Sequence, residues 1–305
     1  MTGTENPRRS MPTVSVITVN YHSLDDIEAC LESVCRFEPG RFNLEFIVVS
    51  NSPEPDLALE QLRRHYDRVR WISMPENLGF AKANNAGARV AEGEWFFFLN
   101  PDTRLLNDAI AELLDTAVKH PESAVIGPAT RDEHGRTYPS VKRDVTFARL
   151  LYTALPFLPG TESIGPIARE SAGPVDVVNG SAMLVERQAF WEAGGMNEHY
   201  FMYWEENDLC LRVRQNDRQV RFAPSARITH IGGTTTRRRF LPMEIEKHRS
   251  QKKFLKQHYP QLVSINRIIG VIAYSWRTAA GLLALRFPKV RQFGNLWWWY
   301  LTKYK

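Results

Sequence analysis

The first half of the chain alternates between short apolar runs and segments whose apolar residues recur at helical spacing, and this alternation constrains the fold most strongly. The predicted strands are residues 14–19, 44–49, 69–73, 95–99 and 124–127, and the predicted helices are residues 24–34, 57–66, 79–91 and 107–120. Strands and helices that alternate at this spacing form parallel sheets, because each helix carries the chain back across the sheet. We therefore expect an α/β fold with a mostly parallel sheet and helices on both faces.

The second half of the chain is less regular. Residues 131–174 are rich in proline and glycine, which predicts a loop-rich excursion with a short helix. The elements predicted after it are a strand at 175–185 that breaks at Asn179-Gly180, helices at 187–193 and 209–214, short strands at 220–223 and 226–230, and a helix at 242–258. The helix at 187–193 is expected to end at Gly194-Gly195, because glycine commonly follows the last turn of a helix.

The composition is typical of a globular protein, with 43% apolar and 24% charged residues. The three cysteines, Cys30, Cys35 and Cys210, are an odd number without the spacing of metal ligands, which favours reduced thiols in a cytosolic protein. No apolar stretch reaches the roughly 20 uncharged residues that a membrane-spanning helix needs, so we expect no such helix.

The charge is unevenly distributed, although the net charge is only +5. Residues 237–305 carry 15 Lys and Arg against Glu244 and Glu246, a net of +13, so the first 236 residues carry −8. In this basic tail, three tryptophans at 297–299 lie close to Lys303, a combination typical of peripheral contact with an anionic membrane. A helical hairpin that packs on the body or on another subunit is the alternative. We expect no nucleic acid partner, because the aromatic residues cluster instead of alternating with cations.

A carboxylate directly follows the fourth predicted strand. Asn100-Pro101-Asp102-Thr103 comes after the run at 95–99, at the end of the strand where open α/β sheets bind ligands. A hard oxygen ligand in this place suits Mg²⁺ or Mn²⁺, which commonly accompany a diphosphate. By itself this tetrapeptide is more typical of a turn or a helix cap, so the metal-site hypothesis depends on the rest of the chain.

A second acidic cluster, Glu205-Glu206-Asn207-Asp208, lies between an aromatic run at 200–204 and a predicted helix. The acids repel one another and the aromatic side chains exclude water, which raises the pKa of at least one carboxyl and favours a general base. The alternative is a charged helix N-terminus. His230 ends a predicted strand beside Gly232-Gly233, where a ligand can approach. A metal carboxylate, a histidine ligand and a separate base together suit displacement of a nucleoside diphosphate.

Six segments in order resemble one enzyme family. They are VSVITVNY at 14–21, ENLGFAKANN at 76–85, LNPDT at 99–103, GGMNE at 194–198, YWEENDLCLR at 203–212 and HIGG at 230–233. The series is similar to the family-2 inverting glycosyltransferases of GT-A fold, particularly the bacterial rhamnosyltransferase-like branch, over about residues 13 to 258. The resemblance therefore implies a GT-A type, Rossmann-like sheet and a nucleotide-sugar donor.

The resemblance also implies roles for individual residues. Asp102 would hold Mg²⁺ or Mn²⁺ on the donor diphosphate, His230 would be a late metal or diphosphate ligand, and Glu206 would be the base, with Glu205 as the alternative. The residues expected to line the donor pocket are Asn20, Tyr21, Ser50, Asn51, Asn77, Gly79, Lys82, Asn84, Asn100, Arg237 and Arg238. For Lys82 the alternative is an exposed helix lysine, and for the arginines it is a solvated basic loop.

Two positions depart from the family pattern. Ser50 stands where the family usually has an aspartate that contacts the pyrimidine base, so this contact loses its charge. Glu206 stands where the family usually has an aspartate base, and its additional methylene moves the carboxylate outward by about one bond length. Neither departure affects the predicted metal site.

The polar residues 1–12 are expected to be disordered and the basic residues 241–305 to form a helical extension, and the resemblance implies a GT-A nucleotide-sugar-binding and catalytic domain at 13–240. The predicted activity is metal-dependent transfer of a sugar, L-rhamnose from dTDP-L-rhamnose, to a glycan or lipid-linked glycan at the cytoplasmic membrane face. Three alternatives stay open: a transferase that uses another donor such as a UDP-hexose, a nucleotidyltransferase, and a non-catalytic binding protein. The extension would contact the membrane or form a homo-oligomer.

Overall fold

A ten-stranded mixed sheet with helices on both faces forms the centre of the computed structural model, which describes residues 11–37, 40–52, 57–132, 134–154, 167–230 and 240–304. The strands are β1 (Thr13–Asn20), β2 (Asn43–Ser50), β3 (Val69–Ser73), β4 (Trp95–Leu99), β5 (Thr103–Leu105), β6 (Ser123–Arg131), β7 (Thr137–Tyr138), β8 (Val141–Lys142), β9 (Gly173–Pro174), β10 (Val177–Val178), β11 (Ala182–Glu186) and β12 (Gln219–His230). The helices are α1 (Leu24–Cys35), α2 (Leu57–His65), α3 (Phe80–Val90), α4 (Ala109–Lys119), α5 (Phe147–Ala154), α6 (Arg187–Glu192), α7 (Glu205–Gln215), α8 (Phe240–His258), α9 (Val263–Leu283) and α10 (Phe287–Thr302). The chain outside these ranges includes the N-terminus predicted at 1–12, of which only residues 11 and 12 are described, and both Arg237 and Arg238.

The strand order is β3-β2-β1-β4-β11-β6-β12-β5. The first four strands in this order are parallel to one another, and β12 is parallel to β6. Strand β11 runs antiparallel to both β4 and β6, and β5 pairs antiparallel with β12. The prediction of a mostly parallel α/β sheet is therefore confirmed, with one antiparallel strand in its interior.

The central strands bury side chains on both faces, as continuous apolar runs predict. In β4, Phe96 and Phe98 pack in a cluster with residues of α3, α6 and α7, whereas Phe97 and Leu99 pack in a separate cluster with residues of α1 and α4. Alternate residues of one strand thus contact helices on opposite sides of the sheet. The expected cover of helices on both faces is confirmed.

Several predicted boundaries differ from the structure. Helix α4 begins at Ala109, and the side chain of Asp108 caps it by accepting from the Ala111 amide at 3.2 Å, so Asp102 is not its cap. Strand β12 is one strand instead of two short ones, because its pairing with β6 continues beyond a register shift between Ala223 and Arg227. The three-residue strand β5 escaped prediction because only its pairing with β12 defines it.

The C-terminal helices form a packed unit. His248 of α8 is fully buried between Tyr274 of α9 and Tyr300 of α10, whose hydroxyls lie 2.7 Å and 2.8 Å from its two ring nitrogens. Burial, aided by the charge of Lys247, lowers the pKa of His248 to about 3, so the ring is neutral. The hairpin of α9 and α10 that was one alternative for the tail is therefore present. None of the helices in the described ranges combines the length and apolar character needed to cross a bilayer.

Two glycines of the hairpin test its packing. A side chain at Gly270 of α9 would collide with the ring of Tyr300, whereas the space around Gly294 of α10 is open. We expect Gly270→Ala to lower the free energy of unfolding by about 1–3 kcal/mol through overpacking. Gly294→Ala should raise it by up to about 1 kcal/mol, because alanine favours the helix. Urea unfolding would measure both changes, and stabilisation by both substitutions would contradict the packing of α9 on α10.

Candidate active site

Polar side chains surround a cavity of about 510 Å³ at the edge of the sheet where the parallel strands have their carboxyl ends. Tyr21, Asn51 and Asn100 directly follow β1, β2 and β4. Three segments that are distant in sequence meet here because these parallel strands end at the same edge of the sheet. The predicted site residues that line this cavity are Tyr21, Asn51, Asn77, Gly79, Asn100, Asp102, Glu205, Glu206 and His230. The structure thus brings the two acidic segments and the histidine to one place.

Asp102 and His230 meet because β5 pairs with β12. The register places His230 opposite Thr103, and His230 Nε2 lies 3.2 Å from Asp102 Oδ1. Burial alone would raise the pKa of Asp102, but the hydrogen bond and the charge of His230 outweigh it and hold this pKa below its usual 3.8. Asp102 therefore presents an ionised carboxylate to the cavity.

The donor set around Asp102 fits a divalent cation that shares its coordination sphere with a ligand. A carboxylate and an imidazole adjoin, and the buried Asn100 Oδ1, which lines the same cavity, has no hydrogen-bond partner among the described residues. Mg²⁺ commonly takes one or two protein ligands and completes its octahedron with phosphate oxygens and water. In the described ranges no three His, Cys, Asp or Glu side chains form a metal-binding group, so a diphosphate and water would supply the remaining ligands.

The acidic cluster lies in the first turn of α7, which begins at Glu205 and not at Leu209 as predicted. The chain enters this helix through Tyr203 and Trp204, whose φ angles of 69° and 73° are unusual for residues with a side chain. Glu205 and Glu206 line the cavity. The backbone reversal at two aromatic residues therefore directs the start of α7 towards the ligand space.

The third acid of the cluster, Asp208, is held by contacts with other side chains of the protein. Its carboxylate accepts a hydrogen bond from Arg212 Nε at 2.7 Å and pairs with His258 Nε2 of α8 at 2.7 Å. Both oxygens are thereby engaged, and the side chain is completely buried. Asp208 joins α7 to the C-terminal helices, and only Glu205 and Glu206 remain as candidate bases.

Glu205 and Glu206 form a buried carboxylate pair that adjoins the cationic side chain of Lys142. Burial, followed by the negative charge of Glu206, raises the pKa of Glu205 well above its usual 4.5. Lys142 of β8 binds Glu206 Oε1, and the Oε2 atoms of both glutamates have no hydrogen-bond partner among the described residues. Sequence patterns missed Lys142, because it lies in the proline-rich region and approaches Glu206 only through the fold.

Asn51 organises the wall opposite α7. Its Nδ2 donates to Asn77 Oδ1 at 2.9 Å, and its Oδ1 accepts from the Leu78 amide at 3.0 Å. The next residue, Gly79, has a φ of +89°, and a side chain there would collide with the backbone oxygen of Phe201. This oxygen accepts from the amide of the first residue of α3 at 2.7 Å. The turn before α3 and the segment before α7 are thus fixed against each other across the cavity.

Four predicted donor-binding residues do not line the cavity. Asn20 Oδ1 accepts from both the amide and the hydroxyl of Ser23 at 3.1 Å, and Asn20 Nδ2 lies 3.5 Å from Ser50 Oγ. Asn84 Nδ2 donates to a backbone oxygen one turn earlier in α3 at 3.0 Å. Lys82 lies on α3 near Glu198, whose pKa its charge helps to lower after larger effects of Asn85 and Arg89. The structure gives these residues local partners, and their part in donor binding stays a prediction.

Further cavity residues were not singled out from the sequence. They include Asp26 and Ser23 of the first helical segment, Asn179, Gly180 and Ser181 before β11, Phe201, Met202 and Tyr203 before α7, and Met243 of α8. The predicted break of the strand at Asn179-Gly180 was a signal for the second group. Gly180 lies against Glu206, because a Cβ atom placed on Gly180 would be 3.4 Å from the Glu206 side chain. No comparable local signal marks Met243.

The sheet and its flanking helices form a fold of GT-A type. The chain belongs to glycosyl transferase family 2, whose sequence profile matches residues 15–179. A crystal structure of GalNAc-T7 with UDP, GalNAc and Mn²⁺ shares the fold with a TM-score of 0.56 at 16% identity, covering 72% of this chain. The match spans less than half, 44%, of that solved chain.

Curated relatives include enzymes with different names. An N-acetylglucosaminyl-diphospho-decaprenol L-rhamnosyltransferase of Mycobacterium tuberculosis is 30% identical over 63% of this chain and 68% of its own length. The low-salt glycan biosynthesis hexosyltransferase Agl10 of Haloferax volcanii is 30% identical over 67% of this chain and 62% of its own. The rhamnosyltransferase WbbL of Escherichia coli is 28% identical over 71% of this chain and 83% of its own length. The chain is thus a family-2 glycosyltransferase.

Proposed function

We propose that the protein is an inverting, metal-dependent rhamnosyltransferase. It would transfer L-rhamnose from dTDP-L-rhamnose to a hydroxyl of a glycan or lipid-linked glycan in cell-surface polysaccharide biosynthesis. The observation that carries the proposal is the meeting of the Asp102–His230 pair with the Glu205–Glu206 pair in one cavity. The names of the M. tuberculosis and E. coli relatives support rhamnose, and Agl10 is the reason why a UDP-hexose donor remains the alternative.

Glu206 is the proposed general base. Lys142 holds its Oε1, which leaves Oε2 to take the proton from the acceptor hydroxyl. The acceptor oxygen then forms a bond to the anomeric carbon from the face opposite the donor diphosphate. The bond from that carbon to the phosphate oxygen breaks, and its electron pair leaves with the nucleoside diphosphate. A single displacement of this kind inverts the anomeric configuration and forms no glycosyl-enzyme.

The neighbouring Glu205 balances the charge of the base. Two ionised carboxylates at this degree of burial repel strongly, and the raised pKa of Glu205 favours the state in which the pair retains one proton. The pair then carries one negative charge, which the ammonium group of Lys142 matches. Glu206 is thus available as a base without an uncompensated buried charge.

Asp102 and His230 are the proposed ligands of Mg²⁺ or Mn²⁺. The bound cation would supply charge neutralisation for the departing diphosphate. Asp102 is prepared for this task by its ionised state, and Asn100 offers an unpartnered buried oxygen beside it. Arg237 and Arg238 lie outside the described residues, and their expected place in the donor pocket rests on the sequence alone.

The donor is the first test. We expect the purified protein with Mg²⁺ or Mn²⁺ to transfer rhamnose from dTDP-L-rhamnose, and removal of the metal by a chelator to abolish the transfer. The same assay with UDP-glucose, UDP-galactose and nucleoside triphosphates distinguishes the alternatives. Transfer from a UDP-hexose alone would overturn the rhamnose donor but not the class, whereas pyrophosphate release from triphosphates would indicate a nucleotidyltransferase.

The two acidic segments are the second test. We expect Glu206→Gln and Asp102→Ala each to lower kcat at least ~100-fold, as loss of a base or a metal ligand does. Calorimetry should show that Glu206→Gln still binds the donor with metal, since the amide keeps the shape of the base. Glu92→Gln, at an exposed surface carboxylate, is the control. Rates close to those of the wild type in either site variant would contradict the assigned role.

Lys142 provides a third test, through the pH dependence. Its positive charge stabilises the negative charge of the carboxylate pair, so without Lys142 the pair loses the proton that blocks the base only at higher pH. We expect Lys142→Met to move the acidic limb of the kcat/KM profile upward by about one pH unit. Lys142→Arg should restore the profile, and Lys119→Met on α4 should not change it. A uniform loss of rate without a shift would indicate a merely structural role.

A further inference from the structure

The turn between α9 and α10 exposes a row of large apolar side chains. Leu282, Leu283, Leu285 and Phe287 are 52%, 89%, 74% and 64% exposed. All residues from 282 to 289 are exposed. Single exposed apolar residues are ordinary on protein surfaces, but a contiguous apolar patch marks an interaction site. We call residues 282–289 the apolar turn.

The backbone of the apolar turn is held by hydrogen bonds. The amide of Arg286 donates to Gly281 O at 2.9 Å, and the amide of Leu285 donates to Leu282 O at 3.0 Å. Leu285 has a φ of +51°, in the left-handed region that glycine usually occupies after a helix. A large apolar residue therefore occupies a position that local geometry reserves for glycine, and its side chain is presented to solvent.

The surroundings of the apolar turn are cationic. Residues 259–305 contain seven Lys and Arg and no Asp or Glu. Arg286, Lys289 and Arg291 lie in or beside the turn, are exposed, and form no ion pair with any described residue. Apolar side chains flanked by unpaired cations are typical of protein surfaces that bind anionic lipid.

The charge also discriminates between occupants. In a twofold contact with a second copy, two acid-free segments would face each other, and their like charges would oppose the contact. A bilayer offers hydrocarbon for the leucines and, just outside it, phosphate groups for the cations. An anionic bilayer therefore matches both features of the surface.

The apolar turn is connected to the active site through α8. His248 of α8 bonds to the hydroxyls of Tyr274 and Tyr300, which joins it to both helices of the hairpin. His258, at the C-terminal end of α8, pairs with Asp208 in the helix that carries Glu206. Helix α8 thus makes polar contacts both with the hairpin and with the helix of the proposed base.

We infer that the apolar turn inserts Leu283, Leu285 and Phe287 into an anionic bilayer, with Arg286 and Lys289 at the lipid phosphates. This deepens the proposed function and rests on it for its purpose, because a lipid-linked acceptor presents its sugar at the bilayer surface. The binding itself requires neither donor nor acceptor, so it can be measured independently of transfer.

Co-sedimentation with vesicles tests the inference on the full chain. The probes are vesicles of phosphatidylcholine alone and vesicles that also contain phosphatidylglycerol. We expect anionic vesicles to bind the protein at least about tenfold more strongly than neutral ones, and ~1 M salt to reduce this preference. Substitution of Leu283, Leu285 and Phe287 by Ser should lower binding by about tenfold or more. The control is Leu106→Ser with Val118→Ser, which removes exposed apolar side chains from the body of the protein.

Each outcome decides the inference. Loss of binding in the turn variant, but not in the control, supports it, provided that both retain the urea unfolding midpoint of the wild type. Absence of wild-type binding to anionic vesicles, or equal binding by the turn variant, overturns it. A change from dimer to monomer in the turn variant by light scattering would assign the surface to a second copy instead. Failure of the rhamnose assay alone would leave the vesicle result intact, which separates the two proposals.

Discussion

The common direction of five strands is the constraint on which the site depends. Strands β1, β2, β4, β6 and β12 all run the same way, so the segments that follow them emerge at one edge of the sheet. Strand β11 runs antiparallel between β4 and β6 and therefore begins at this edge, which brings Asn179, Gly180 and Ser181 into the cavity. The short pairing of β5 with β12 then sets His230 beside Asp102. Residues far apart in the chain meet because the sheet directs them there.

The negative charges of the cavity's carboxylates are compensated in two different ways. Asp102 stays ionised because His230 compensates for its burial, whereas the pair at the start of α7 shares the positive charge of Lys142. Four buried atoms of this cavity, on Asn100, Ser181, Glu205 and Glu206, have no hydrogen-bond partner among the described residues. Leaving buried polar groups unpaired costs stability, and such groups are retained where a ligand completes them. The stability lost through these unpaired atoms is thus lost at the cavity where the proposed chemistry needs free oxygen atoms.

Periodicity predicted the fold well where the elements are long and apolar. The alternating strands and helices of the first half are confirmed within a few residues, since each is buried on a predictable face. Prediction failed where a contact between distant segments decides the local structure. The split of β12 was wrong because pairing with β6 continues past the register shift. The predicted start of α7 was four residues too late, because the helix already includes Glu205 and Glu206, which are buried in its first turn. The proposed roles of the site residues stay predictions.

The sequence by itself determined the order of strands and helices, the positions of Asp102, Glu206 and His230 at the ends of elements, and the acid-free character of the tail. These properties follow from local spacing and composition, which any reader of the chain can count. Only the tertiary structure decided that Lys142 binds Glu206, that both oxygens of Asp208 contact Arg212 and His258, and that the turn at 282–289 is exposed. The contacts of Lys142 with Glu206 and of Asp208 with His258 join segments that are distant in sequence and adjacent in space, so neither segment alone predicts them.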